Sequence, residues 1–92
     1  MREKEIEQYL VREVRKLGGK AFKWVSPGWN GVPDRIVFFP KRQIYFVELK
    51  RPNNKLSSLQ ELTKRFLKDF GWDVLVIDSK SKVDDFISEV KT

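Results

Sequence analysis

Two runs of residues, Asp34 to Phe39 and Gln43 to Lys50, are rich in β-branched and aromatic side chains, and only Pro40, Lys41 and Arg42 separate them. Such a pair predicts an antiparallel hairpin. Side chains alternate across a strand, so Ile36, Phe38, Ile44 and Phe46 fall on one face and Val37, Phe39, Tyr45, Val47 and Leu49 on the other. A hairpin that is apolar on both faces belongs in the middle of a molecule, with layers packed on each side. The loop length also fixes the register. A three-residue loop sets Phe39 opposite Gln43 and Asp34 opposite Glu48, which brings Ile36 and Phe38 beside Phe46 and Ile44.

Around this hairpin the chain reads as one unit, residues 1–92, with no repeat, linker or low-complexity run. From Glu3 to Leu17, Ile6, Leu10, Val14 and Leu17 recur at helical spacing, and Gly18-Gly19 supplies the stop. Ala21 to Val25 predicts a short strand, followed by a run of turn formers from Ser26 to Pro33. After a basic connector, Arg51 to Leu56, Ser58 with Glu61 predicts a capping box for a helix whose stripe is Leu59, Leu62, Phe66 and Phe70, ended by Gly71. Trp72 to Asp78 predicts another strand. Ser81 with Asp84 then predicts the cap of a last helix with the stripe Val83, Phe86, Ile87 and Val90. The order is α-β-β-β-α-β-α.

Composition narrows the chemistry. The 92 residues hold no cysteine and no histidine, which excludes thiol catalysis, disulfides, Ser-His-Asp triads, HNH-type nuclease sites and nitrogen or sulfur metal ligands. What remains is carboxylates, lysine, hydroxyls and amides, a set that favours hard, oxygen-loving cations. Lys and Arg number 19 against 13 for Asp and Glu, and a net charge of +6 on so short a chain points to a polyanionic partner, nucleic acid before an anionic membrane surface. No segment is apolar enough to span a membrane and the N-terminus alternates charges, so the expected location is cytoplasmic. A chain this small has a modest core and gains from association with a copy of itself.

Glu48 and Lys50 are separated by one residue in a strand and leave the same face within roughly 7 Å of each other. With Asp34 opposite Glu48, two carboxylates and a lysine converge at the end of a buried hairpin. Acids placed together there repel each other and lose solvation unless a cation compensates. Mg²⁺ or Mn²⁺ would do so, with Asp34, Glu48, the Leu49 carbonyl and retained waters filling an octahedral oxygen shell. Such a site suits phosphodiester hydrolysis, with Lys50 orienting a water or stabilising developing negative charge. The bland alternative is a turn aspartate and a strand-end ion pair.

Gly31-Val32-Pro33-Asp34, followed by Val47-Glu48-Leu49-Lys50 beginning thirteen residues beyond Asp34, resembles the PD-(D/E)xK nuclease signature. More narrowly, the Lys16-Leu17-Gly18-Gly19 helix end, the Ser26-Pro27-Gly28 loop and Leu59-Gln60 make the chain similar to stand-alone members of the VRR-NUC family, mostly phage and bacterial. The resemblance implies an α/β fold with a restriction-endonuclease-like αβββαβ core, its central mixed sheet flanked by helices, here with an extra C-terminal helix. It further implies a Mg²⁺- or Mn²⁺-dependent endonuclease that needs no small-molecule cofactor. By the same likeness to Holliday-junction resolvases, it implies a homodimer acting on branched DNA.

The family carries a glutamate in its first helix that completes the metal site, and Glu7, on the stripe of Leu10, Val11 and Val14, is its best match; a stripe-edge acid reaching solvent is the other reading. Gln60 corresponds to a family glutamine that could position the attacking water or a phosphate, and equally fits as the capping partner of Ser57. Lys23, Ser26, Arg35, Arg51, Lys55 and Lys64 are candidate DNA contacts. Trp29, in a polar loop, could stack on a base, cover a dimer seam or fold back onto the core. The rival functions are a non-catalytic DNA-binding module that kept the fold, and a nuclease for flaps or duplex DNA.

Overall fold

The computed structural model describes residues 1–92. Its elements are α1 (Glu3–Lys16), β1 (Lys20–Lys23), β2 (Arg35–Phe39), β3 (Gln43–Leu49), α2 (Ser58–Asp69), β4 (Val74–Ile77) and α3 (Lys80–Glu89), in the expected order. The strands form one sheet in the sequence β1-β2-β3-β4, antiparallel except for the parallel β3–β4 pair, which makes it mixed. The Pro40–Arg42 loop holds the expected register, with Phe39 opposite Gln43 and Arg35 opposite Val47. Lys41 and Arg42 take positive φ of 67° and 63° to make that turn.

One face of the sheet packs on α1 and α3. Ile6, Leu10 and Val14 of α1 meet Val37, Phe39, Val47 and Leu49 of the hairpin and Val83, Phe86 and Val90 of the last helix. Helix α1 ends as its glycines predict: Gly18, at φ 79°, donates to the Arg15 carbonyl and Gly19 to that of Val14, which satisfies the last turn. Tyr45 and Phe86 meet edge to face at 5.0 Å between ring centroids.

The other face differs from expectation. Only α2 covers it, and that helix leans on the β4 side, so Phe22 and Phe38 remain 49% and 42% exposed. The stripe expected for α2 is likewise corrected. Its buried residue is Thr63, while Phe66 and Phe70 are exposed, because the helix docks against the loop before β2 rather than across the sheet.

The caps expected at Ser58 and Ser81 are both displaced, the first to the Ser57–Gln60 pair that was the other reading of Gln60. Ser57, not Ser58, caps α2: its hydroxyl accepts from the Gln60 amide and its own amide donates to Gln60 Oε1, so Ser58 becomes the first helical residue. Ser79, not Ser81, caps α3 by accepting from the Lys82 amide, since the chain turns as soon as β4 ends. Asp84 is used elsewhere, accepting a hydrogen bond from the Tyr9 hydroxyl at 2.5 Å. The first and last strands are also shorter than the apolar runs that announced them, Lys20–Lys23 and Val74–Ile77, with Val25 and Trp72 left outside. Trp24 still donates its amide to the Asp34 carbonyl, one bond past the end of β1.

Candidate active site

Asp34 precedes β2, and Glu48 and Lys50 flank Leu49 at the far end of β3. The register that pairs Arg35 with Val47 sets Asp34 beside Glu48, and two hydrogen bonds fasten them. The Asp34 amide donates to Glu48 Oε1 at 3.1 Å, and Asp34 Oδ2 accepts from the Leu49 amide at 3.0 Å. Each acid is thus held by the other's backbone neighbourhood, with its position set by the sheet rather than by a mobile loop. Lys50 is anchored through its amide to the Ile77 carbonyl of β4, and its Nζ lies 3.8 Å from Glu48 Oε2.

Gln60 joins them from α2, donating through Nε2 to Glu48 Oε2 at 2.5 Å. Its capping reading is realised, since the amide oxygen completes the box with Ser57, while the nitrogen at the other end of the same amide holds Glu48.

Burial makes this arrangement electrostatically unfavourable. The Glu48 side chain is 4% exposed, and loss of solvation followed by repulsion from Asp34 pushes its carboxyl from an ordinary value of 4.5 up to about 7, with Lys50 pulling only partly in the other direction. A cation held between Asp34 and Glu48 would remove both causes. The donor set fits a hard divalent ion: two carboxylates, neither with all its acceptor capacity consumed, and no nitrogen or sulfur ligand. Beside Glu48 and Gln60 is a cavity of about 10 Å³, also lined by Gly31, Pro33 and Lys64, with room for one water.

The structure does not bring Glu7 into this group. Its carboxylate is 2.8 Å from the Arg35 guanidinium, and no cluster of three acids forms. The physical reason is alternation along β2: Asp34 and Arg35 project to opposite faces, and α1 packs on the Arg35 face. Arg35, expected at DNA, is correspondingly half-buried and tied to Glu7 and to the Ala21 carbonyl. Arg51 and Lys55 are exposed on the connector before α2, Lys23 is exposed at the end of β1, and Ser26 is half-buried in the loop.

Of the three readings of Trp29, the structure has it folded back. Its Nε1 donates to Thr63 Oγ1 at 2.5 Å and its ring packs on Phe66 at 5.9 Å. Thr63 and Gly31 were missed as positioning residues. A Cβ on Gly31 would stand 2.6 Å from the Leu59 carbonyl and from Thr63 Oγ1, so only glycine lets this loop lie against α2. The available signal was a glycine three residues before Asp34 and a threonine interrupting an apolar helical stripe.

Comparison with known proteins agrees with this geometry. The sequence pattern of the VRR-NUC domain matches residues 2–81, more than half of the chain. The chain belongs to the VRR-NUC family. A protein named "Putative nuclease p44", from Acyrthosiphon pisum secondary endosymbiont phage 1, is 49% identical over 80 residues, covering 87% of this chain and 86% of that protein. A solved structure described as a VRR_NUC domain superposes with a TM-score of 0.89 at 30% identity, over 97% of each chain. The VRR-NUC membership makes the chain a nuclease-family protein with nucleic acid as its partner. No helix is long and apolar enough to cross a membrane.

Proposed function

We propose that this VRR-NUC protein is a Mg²⁺- or Mn²⁺-dependent endonuclease that hydrolyses phosphodiester bonds in branched DNA, Holliday junctions among them, as a homodimer. The observation that carries the reading is the pairing of Asp34 and Glu48 at buried strand ends, with Glu48 pushed up to about 7 in the absence of a cation. Groups whose environment is so unfavourable in isolation are characteristic of functional sites.

Asp34, Glu48 and the Leu49 carbonyl would hold the metal, which supplies Lewis acidity for the phosphodiester and for the attacking water. Lys50, its side chain only 17% exposed, offers N–H donors where negative charge develops on the phosphate. Gln60 keeps Glu48 aimed and at the same time ties the site to the first turn of α2. Self-association is supported by the uncovered sheet face, where Phe22 and Phe38 meet edge to face at 5.8 Å while still half exposed.

The test is cleavage of labelled four-way junction, flap, duplex and single strand by the full chain and by Asp34→Ala, Glu48→Ala and Lys50→Ala. Each variant should lose turnover by at least about a thousandfold, since each removes a group that acts on the reacting centre. Binding should persist, because affinity comes mainly from phosphates neutralised over the wider basic surface. Folded Glu48→Ala cutting at the parent rate would refute the site. Equal rates on junction and duplex would refute the substrate preference, and undiminished cutting in excess chelator the metal.

A further inference from the structure

On the opposite face of the sheet from Glu48, a cleft of about 430 Å³ opens between α1 and the ends of β1 and β2. Lys4, Gln8 and Arg12 line it from the helix, Lys23 and Arg35 from the strands, and Glu7 lies at its floor paired with Arg35. Four cations against one carboxylate leave a surplus of three positive charges in one concavity. Val11 is its only apolar wall, which makes it unsuited to a small hydrophobic ligand.

We infer that this cleft is a second phosphate track, which holds the DNA backbone alongside the strand whose phosphate is at Asp34 and Glu48. The inference rests on the nuclease reading and adds to it a subsite on α1. Spacing supports it. Lys4, Gln8 and Arg12 are four residues apart, so they form one row about 12 Å long on the helix. Each strand of a duplex carries one phosphate per roughly 3.4 Å of helix axis, and because the backbone winds around that axis its successive phosphates lie farther apart, so two or three of them span that row.

Availability supports it as well. Of the other acids of α1, Glu5 pairs with Arg2 and Glu13 with Lys16, leaving Glu3 without an ion pair, and Lys4, Arg12 and Lys23 likewise take part in none of the six ion pairs of the molecule. Arg35 is held in place beforehand by Glu7 and the Ala21 carbonyl, so the floor of the cleft is a fixed ion pair and the surplus charge above it is carried by Lys4, Arg12 and Lys23. Position supports it last. Arg35 follows Asp34 directly, about 3.8 Å away along the backbone, so the cleft and the candidate active site are the two sides of one sheet end.

The test is fluorescence anisotropy of a fluorescein-labelled four-way junction and a labelled duplex with the full chain, in EDTA, from 50 to 200 mM KCl. Lys4→Glu/Arg12→Glu is compared with Arg42→Glu/Lys91→Glu, a pair that changes net charge equally at the hairpin-turn end of the sheet. Lys4→Gln/Arg12→Gln serves as the gentler version, and circular dichroism checks that each variant is folded. The cleft variant should bind at least about tenfold more weakly at 100 mM salt and flatten the slope of log affinity against log salt by about 1.8, the loss of two phosphate contacts. The control should stay near the parent. Loss of affinity no greater than the control's, with the parent binding and cutting normally, overturns the cleft and leaves the nuclease reading intact. A parent that binds neither DNA at any salt overturns both.

Discussion

Glu48 is the residue at which folding and the proposed activity oppose one another. In the unfolded chain its carboxyl titrates near 4.5, and in the folded, metal-free protein near 7, so the native state binds the proton more tightly. The stabilisation from protonated Glu48 is therefore fully present below about pH 4.5 and lost as pH rises through 7. Because the chain has no histidine, few other groups titrate in that interval. In EDTA, the midpoint of urea unfolding should fall between pH 5 and pH 8, and Glu48→Gln should flatten the trend. A parent profile as flat as the variant's would contradict the buried-acid account. The sign reverses for the cation: its apparent affinity should rise with pH up to about 7 as proton competition ends, which isothermal titration in Mn²⁺ can measure.

At the level of elements, the loop from Ser26 to Pro33 and helix α2 form one brace behind the acids. Gly31→Ala would force its methyl against the Leu59 carbonyl, so the loop must move away from the helix and drag Asp34, three residues on. A loss of about 1–3 kcal/mol is expected, together with a fall in cleavage rate larger than the fall in DNA affinity. Unchanged stability and rate would show that the close approach is unimportant. Trp29→Phe should cost about 1 kcal/mol, since it removes the bond to Thr63 while keeping most of the ring contact with Phe66. Urea melts of both variants provide the comparison.

This brace is also where the sequence was least legible. The hairpin register, and with it the meeting of Asp34, Glu48 and Lys50, followed from alternation and a loop length, both of which are local. The Ser57–Gln60 cap was legible only as an alternative to Ser58–Glu61, and the Ser79 cap was missed in favour of Ser81, because neighbouring serines offer equivalent chemistry and the choice between them is made by what Gln60 and Asp84 touch across the fold. Glu7 failed to join the acids for the same kind of reason. Helical periodicity says which side of α1 is inward, but only the packing of α1 on the Arg35 side of β2 says which group Glu7 meets there.

For the whole molecule, only 18 of 92 residues are buried, and 12 of them form the cluster between the sheet and the α1–α3 layer. So small a core leaves the uncovered aromatic face as the natural source of further stability. Sedimentation at micromolar concentration should give a dimer, and Phe38→Asp should shift it to monomer with a lower melting temperature, since a charge in the middle of an apolar seam loses its solvation. A parent that sediments as a monomer while cutting junctions would refute the homodimer.

The shared amide of Gln60 makes the start of α2 a local gauge of charge at the Asp34–Glu48 end of the sheet. Ionising Glu48 converts the bond from Gln60 Nε2 into a charge-assisted one, which is about twice as strong as its neutral counterpart. The same side chain grips Ser57 through its oxygen, so fraying of that helical turn becomes rarer even as the protein as a whole loosens. In metal-free solution, amide exchange at Ser57 and Gln60, corrected for the intrinsic rate, should therefore slow between pH 6 and pH 8 while exchange in the central strands quickens. Two opposite trends within one chain would then report a single proton leaving a single carboxyl.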